Sequence, residues 1–195
     1  MATTTANAQV FLARQPIFDE KRHVFGYELL FRAPDGSDTN HATLDTETAT
    51  VITEAILAFG LDTLTHGRPT FVKVSRGVLV GGLPGALPPD RVVIELPGTI
   101  DAAPEVIDAC VALRRKGYKI ALDQFVPTKE NAALLPHASF LKTDLRDLDA
   151  FLQSGTIDPK ALPPQQVIAM HVDSAADFAE AAGKGVQAFQ GEFIG

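Results

Sequence analysis

Polar side chains recur wherever the apolar runs of this sequence stop. "VVIEL" carries Glu95 and "IALDQF" carries Asp123, each a lone carboxylate behind three aliphatic residues. "VFGYELL" adds Glu28, "TFVKVS" Lys73, "FLKTD" Lys142 and Asp144, "MHVD" His171 and Asp173, and "QAFQGEF" Gln190. Any one of these is accounted for as a solvated strand end or a local salt bridge. Their recurrence argues for a shared site. Carboxylates converging from Glu28, Glu95 and Asp123 would make a hard-cation site of the Mg²⁺ or Mn²⁺ type, short of a fourth oxygen ligand. Such an ion polarises a phosphodiester and activates water. Lys73 stands where the fourth contribution would come from. An ammonium cannot ligate a metal, but it can neutralise carboxylates that would otherwise repel one another and take up protons.

Convergence needs elements that bring these residues together. "QVFLARQPIF" (9–18) and "HVFGYELLFR" (23–32) read as strands, joined by a link too short for a parallel crossover, so they should pair antiparallel. Residues 43–60 show helical spacing at Val51, Ile52, Ala55, Ile56 and Phe59, with Gly60 as a stop. "TFVKV" (70–74) is a strand, followed by the Gly/Pro-rich connector 81–90 and the strand "RVVIEL" (91–96). Residues 103–117 form a helix with Pro104 in its first turn and Gly117 as its stop.

The same alternation continues to the end of the chain. Strands are expected at 118–123, 138–144 and 166–172, with a last one closing the chain from Val186. Helices are expected at 129–135, 145–153 and 174–185, the last capped by Ser174. Short apolar strands alternating with helices imply a largely parallel sheet covered on both faces. About eight strands in one domain favour closure into a barrel, with chemistry at the C-terminal strand ends, over the alternative of an open doubly wound sheet. An internal echo, "ALPPDRVVIE" (86–95) and "ALPPQQVIAM" (161–170), places Glu95 opposite Met170.

Bulk properties narrow the function. The chain has 195 residues, enough for one well-packed domain, and 46% of them are hydrophobic, with no apolar run of membrane-spanning length. "MATTTANAQ" lacks the basic and apolar regions of a signal peptide, so residues 1–8 are expected to be a disordered terminus and 9–195 one barrel domain. A net charge of −7 argues against a nucleic-acid polymer as partner. The Arg114-Arg115-Lys116 cluster is explained by its place at a helix C-terminus. One cysteine, Cys110, on an expected buried helix face, excludes an internal disulfide and fits a cytoplasmic protein.

Read in order, "RQPIFD", "YELLFR", "VKVS", "IELPG", "IALDQF", "FLKTD", "IAMHVD" and "FQGEFIG" resemble the successive motifs of the EAL domain family. That family comprises the bacterial cyclic di-GMP phosphodiesterases and their non-catalytic relatives. The resemblance runs across nearly the whole chain. It implies a modified TIM-type (β/α)8 barrel with an antiparallel first strand, here stopping before the final helix. The family's metal ligands fall on Glu28, Lys73, Glu95 and Asp123, so a lysine replaces an asparagine. Gln124 replaces the second acid of the Asp-Asp pair. The glutamate taken as the base on the attacking water becomes Met170, whose thioether accepts no proton at neutral pH.

Loss of a general base alone should cost roughly 10²–10⁴-fold. Lys142 and Asp144 are then vestigial catalytic residues, no Mg or Mn cofactor is expected, and Lys73 is expected to replace the metal. These departures imply an inactive domain that works by protein–protein interaction, with the "YELLFR" form similar to the EAL half of EAL–HDOD proteins, in which a C-terminal output domain follows. The alternative is metal-independent binding of cyclic di-GMP through Gln15, Glu28, Arg32 and Gln190; an active phosphodiesterase is the least favoured reading. Homodimerisation is a further family trait without a local signature in these residues.

Overall fold

The computed structural model describes residues 11–32, 60–126, 128–153 and 167–192. The helix expected at 43–59, the expected disordered terminus and the first half of the second Pro-Pro echo lie outside the described residues. Eight strands close into a barrel in sequence order. They are β1 (Phe11–Asp19), β2 (Val24–Arg32), β3 (Thr70–Lys73), β4 (Val92–Pro97), β5 (Lys119–Asp123), β6 (Phe140–Asp144), β7 (Val167–Met170) and β8 (Ala188–Phe189). β1 runs antiparallel to both neighbours, β2 and β8, while β2 through β8 are mutually parallel.

The short polar link forces the first hairpin, and the helical crossovers force the rest. The helices are α1 (Leu61–Thr65), α2 (Arg76–Val80), α3 (Pro104–Arg115), α4 (Leu148–Gln153) and α5 (Ala175–Gly183). α3 begins with Pro104 and ends before Gly117, which takes φ 93, a conformation that suits glycine. Ser174 caps α5 by accepting a bond from the Asp177 backbone N–H at 3.1 Å.

Three expectations change. The helix expected at 129–135 is a 3₁₀ stretch, Ala132–His137, because Pro136 lacks the N–H that an α-helix would use. The segment 145–153 divides into a 3₁₀ turn and α4, since the Asp144 side chain accepts from the Arg146 backbone N–H and tightens the first turn. The closing strand is limited to Ala188–Phe189 among the described residues. α1 and α2, five residues each, carried too little periodicity to be found in advance.

Two apolar layers hold the barrel. Outward strand residues such as Val72, Ile94, Ile120, Leu122 and Leu141 pack on the helices through Val78, Val106, Cys110 and Leu113. Burial pushes the Cys110 thiol up to about 11, which leaves it an inert core side chain. Inside the barrel, Ile17, Phe71, Val93, Ala121, Phe140, Ile168 and Ala188 form a second cluster. Gly26 on β2 leaves room there, since a Cβ would lie 2.8 Å from the Pro69 carbonyl and 3.3 Å from the Phe71 ring.

Candidate functional site

Side chains alternate along a strand, so the residue two positions from each member of the inner layer also points into the barrel. Counting two positions toward the mouth from the inner layer, and from Gly26 on β2, gives Gln15, Glu28, Lys73, Glu95, Asp123, Lys142 and Met170, one from each of β1 to β7, and Gln190 just beyond β8. This ring floors the mouth at the C-terminal ends of the parallel strands. Glu95 and Met170 hold equivalent places in it, as the sequence echo suggests. The sequence reading takes Glu28 for a strand end; instead it lies within β2, which continues to Arg32 beyond its last partner on β3 and pairs only with β1 there.

The carboxylates and ammoniums of the ring are in direct contact. Lys142 Nζ lies 2.7 Å from Glu28, 3.0 Å from Glu95 and 3.5 Å from Asp123. Lys73 Nζ lies 2.6 Å from Asp123, 3.6 Å from Glu95 and 3.9 Å from Glu28. Lys142 is 1% exposed and Glu95 0%, so water does not screen these charges. The sequence reading leaves Lys142 with no centre to serve. It is instead a central cation of the cluster, a role that contacts 47 and 114 residues away in sequence create.

The ring perturbs its own acids and bases. Burial pushes the Glu28 carboxyl up, but the Lys142 ammonium and a bond from Gln190 outweigh it, bringing the pKa to about 2. Burial is the larger influence on Glu95, which is pushed up to about 8 against the pull of Lys142, aided by the neighbouring carboxylates of Glu28 and Asp123. Burial lowers both lysines less than the surrounding carboxylates raise them, so both are held above the ordinary lysine value. Glu95 Oε1 and Gln190 Oε1 are buried without a hydrogen-bond partner among the described residues. Gln190 Nε2 donates to Gln15 at 3.0 Å and to Glu28 at 2.6 Å.

Close backbone contacts fix the strand ends. The Gly98 backbone N–H donates to the Asp123 carbonyl at 2.6 Å, where a Cβ on residue 98 would approach to 2.5 Å. Gln124, next after Asp123, is exposed and takes φ 48. Asn131, not singled out in the sequence, ties the loops after β4 and β5 together by donating to the Gly98 and Val126 carbonyls at 3.2 and 2.9 Å. Its only sequence signal is an Asn near the end of a loop.

A separate cluster stands on the rim. Asp144 accepts from Arg146 at 3.0 and 2.8 Å and contacts His171 Nδ1 at 2.7 Å. Arg146, then burial, then His171 act on Asp144, and the net effect holds its carboxyl well below the usual range. His171 adopts φ 56, an unusual conformation for a side chain of its size. Asp173 accepts from the Glu192 backbone N–H at 2.9 Å and so belongs to the loops and not to the ring. The Arg32 side chain lies outside the described residues.

No family model matches the chain. It is 30% identical over 191 residues to the uncharacterized protein YuxH of Bacillus subtilis, covering 95% of this chain and 47% of that protein. It is 29% identical over 189 residues to the cyclic di-GMP phosphodiesterase CdgJ of Vibrio cholerae, covering 94% of this chain and 43% of that protein. The structure of an EAL domain protein from Listeria monocytogenes superposes with a TM-score of 0.70 at 18% identity, covering 95% of this chain and 87% of that one. The chain has the EAL-domain fold. It spans less than half the length of the two curated relatives.

The resemblance to EAL domains implies a divalent ion among Glu28, Lys73, Glu95 and Asp123, and the residues present do not fit one. The carboxylate oxygens that would face the ion face ammonium groups instead. Among the described residues, no group of three or more His, Cys, Asp or Glu is arranged to hold a metal. Nor is any described helix of this barrel long and apolar enough to cross a membrane.

Proposed function

We propose that this barrel is a non-catalytic EAL-type domain of cyclic di-GMP signalling, acting by binding a protein: a separate partner, a second copy of itself, or an output domain C-terminal to it in a longer cytoplasmic chain. One observation carries the reading, the pairing of the three ring carboxylates with Lys73 and Lys142. Phosphodiester hydrolysis needs a polarising cation at the phosphorus and an acceptor for the proton of the attacking water. In this ring the carboxylates are already paired with ammoniums, and the position that would carry the base is Met170, a thioether.

Charge disfavours a bound phosphodiester as well. Three carboxylates face two ammoniums, so the cluster is negative by one when Glu95 is ionised and neutral when Glu95 holds a proton. Neither state draws in an anion. A second reading, metal-independent binding of cyclic di-GMP, is favoured by one feature: the Gln15–Gln190–Glu28 chain, in which Gln190 Oε1 is left free to accept from a ligand. CdgJ, by its name, acts on that nucleotide.

Thermal unfolding with cyclic di-GMP, with and without Mg²⁺, separates these readings. No shift in either condition and no turnover is the expected result. A shift independent of Mg²⁺ moves the function to nucleotide binding, and release of the linear dinucleotide would overturn the non-catalytic reading.

A further inference from the structure

The six carboxylate oxygens of the ring divide between two cations. Glu28 Oε2, Glu95 Oε2 and Asp123 Oδ1 face Lys142 Nζ at 2.7, 3.0 and 3.5 Å. The opposite oxygens of the same groups, Glu28 Oε1, Glu95 Oε1 and Asp123 Oδ2, face Lys73 Nζ at 3.9, 3.6 and 2.6 Å. Each carboxylate therefore bridges both ammoniums, the way bridging carboxylates hold two cations side by side.

The two positions are filled unequally. Lys142 is enclosed and within hydrogen-bond distance of two oxygens. Lys73 carries three donors but, among the described residues, is within hydrogen-bond distance of Asp123 alone, and the Glu95 oxygen in front of it has no hydrogen-bond partner among them. Its ammonium enters from β3 on a four-carbon stem and stays off-centre, 17% exposed. A free ion would not be tethered in this way. Three oxygens from β2, β4 and β5 converge on this position, one of them buried and unsatisfied, and the Lys73 ammonium stands where a hard cation would otherwise have to sit.

We propose that Lys73 is a built-in counter-ion closing a latent divalent-cation position, which opens when the ammonium is removed. Wild-type protein then has no use for divalent ions, because one covalently attached charge does their work. A shorter oxygen-bearing side chain at residue 73 leaves Glu28 Oε1, Glu95 Oε1 and Asp123 Oδ2 facing an empty position and supplies a fourth oxygen. The inference deepens the non-catalytic reading and rests on it for the absence of a resident ion.

The test is Mn²⁺ binding, followed by electron paramagnetic resonance and by thermal unfolding, on wild type and Lys73→Asn, with no nucleotide present. Lys73→Asn is expected to bind one Mn²⁺ more tightly than wild type by on the order of 10- to 100-fold, the scale on which single residues tune metal sites. It should also be stabilised by Mn²⁺ and destabilised by EDTA, while wild type responds to neither. Stoichiometric Mn²⁺ binding by wild type overturns the inference, as does a folded Lys73→Asn that binds no more than wild type. Should Lys73→Asn fail to fold in EDTA, Mn²⁺ must restore folding, and failure to do so also overturns it. Nucleotide turnover by wild type, in contrast, would sink the non-catalytic reading itself.

Discussion

Asp123 and Asp144 end adjacent strands, β5 and β6, and each lies against two basic side chains. The partners come from very different places. Asp144 is met by Arg146, two residues on, and by His171 on the next strand's end, with the Arg146 side chain 83% and the His171 side chain 58% exposed. Asp123 is met by Lys73 and Lys142, which reach it from other strands and are mostly or wholly buried. The rim pair is a local contact in water, where solvent screening leaves such pairs little net contribution to stability. The ring is a closed set of charges out of water, where losing one member strands the others.

Removing Lys142 should make that contrast largest. Lys142→Met leaves Glu28 and Glu95 without their principal cation and should lower unfolding free energy by about 3–5 kcal/mol in urea titration. Converting Glu28 and Glu95 to glutamine in the same protein should restore most of the loss, because the uncompensated charge disappears with them. If Lys142→Met is nearly silent, the ring is not the buried charge cluster described above.

A pH titration of stability sharpens the comparison next. Glu95 holds its proton in the folded state to about pH 8 and releases it near 4.5 when unfolded. Its contribution is therefore full below pH 4.5 and is lost as pH rises toward 8, with a limiting slope of about 1.4 kcal/mol per pH unit. Glu28, held at about 2, acts in the opposite sense: its contribution is present above pH 4.5 and lost as pH falls toward 2. Glu95→Gln should flatten the decline between pH 5 and 8 and leave the acid limb in place. An unchanged profile would mean that Glu95 is ionised throughout.

The smallest effect belongs to the rim. Arg146→Ala should move the urea midpoint least of these variants at low salt, and less still in 1 M NaCl. Because Asp144 is held below its ordinary pKa, any stability it confers is lost only in acid, below the usual carboxylate range. A larger, salt-insensitive loss would show that the rim is coupled to the ring.

Much of the fold was legible in the chain itself. The antiparallel first hairpin followed from a polar link too short for a crossover, and the barrel from the strand–helix alternation after it. The placement of Lys73, Glu95, Asp123, Lys142 and Gln190 at one end followed from where apolar runs stop, and that of Met170 from its echo of Glu95. The role of Lys142 was not legible, because its partners stand on strands far away in sequence. Asn131 was missed for a related reason: its bonds join two loops that approach only when β4 and β5 are side by side. The short helix expected at 129–135 lies instead at Ala132–His137 and is 3₁₀, its end carried past the expected bounds to include Pro136.

By itself the sequence determined which residues line the mouth, since two-residue alternation sends every second side chain of a strand inward once the apolar layer is known. Set beside the EAL motifs that it resembles, it also puts a lysine, Lys73, and a thioether, Met170, at the positions where the resemblance implies an amide ligand and an acid base. Only the tertiary structure decided who pairs with whom. Closing the barrel brings β2, β3, β4, β5 and β6 within reach of a common centre, and it is there that two ammoniums share three carboxylates. The strength of those contacts comes from the exclusion of water, a property of the closed barrel that no segment of the chain possesses alone.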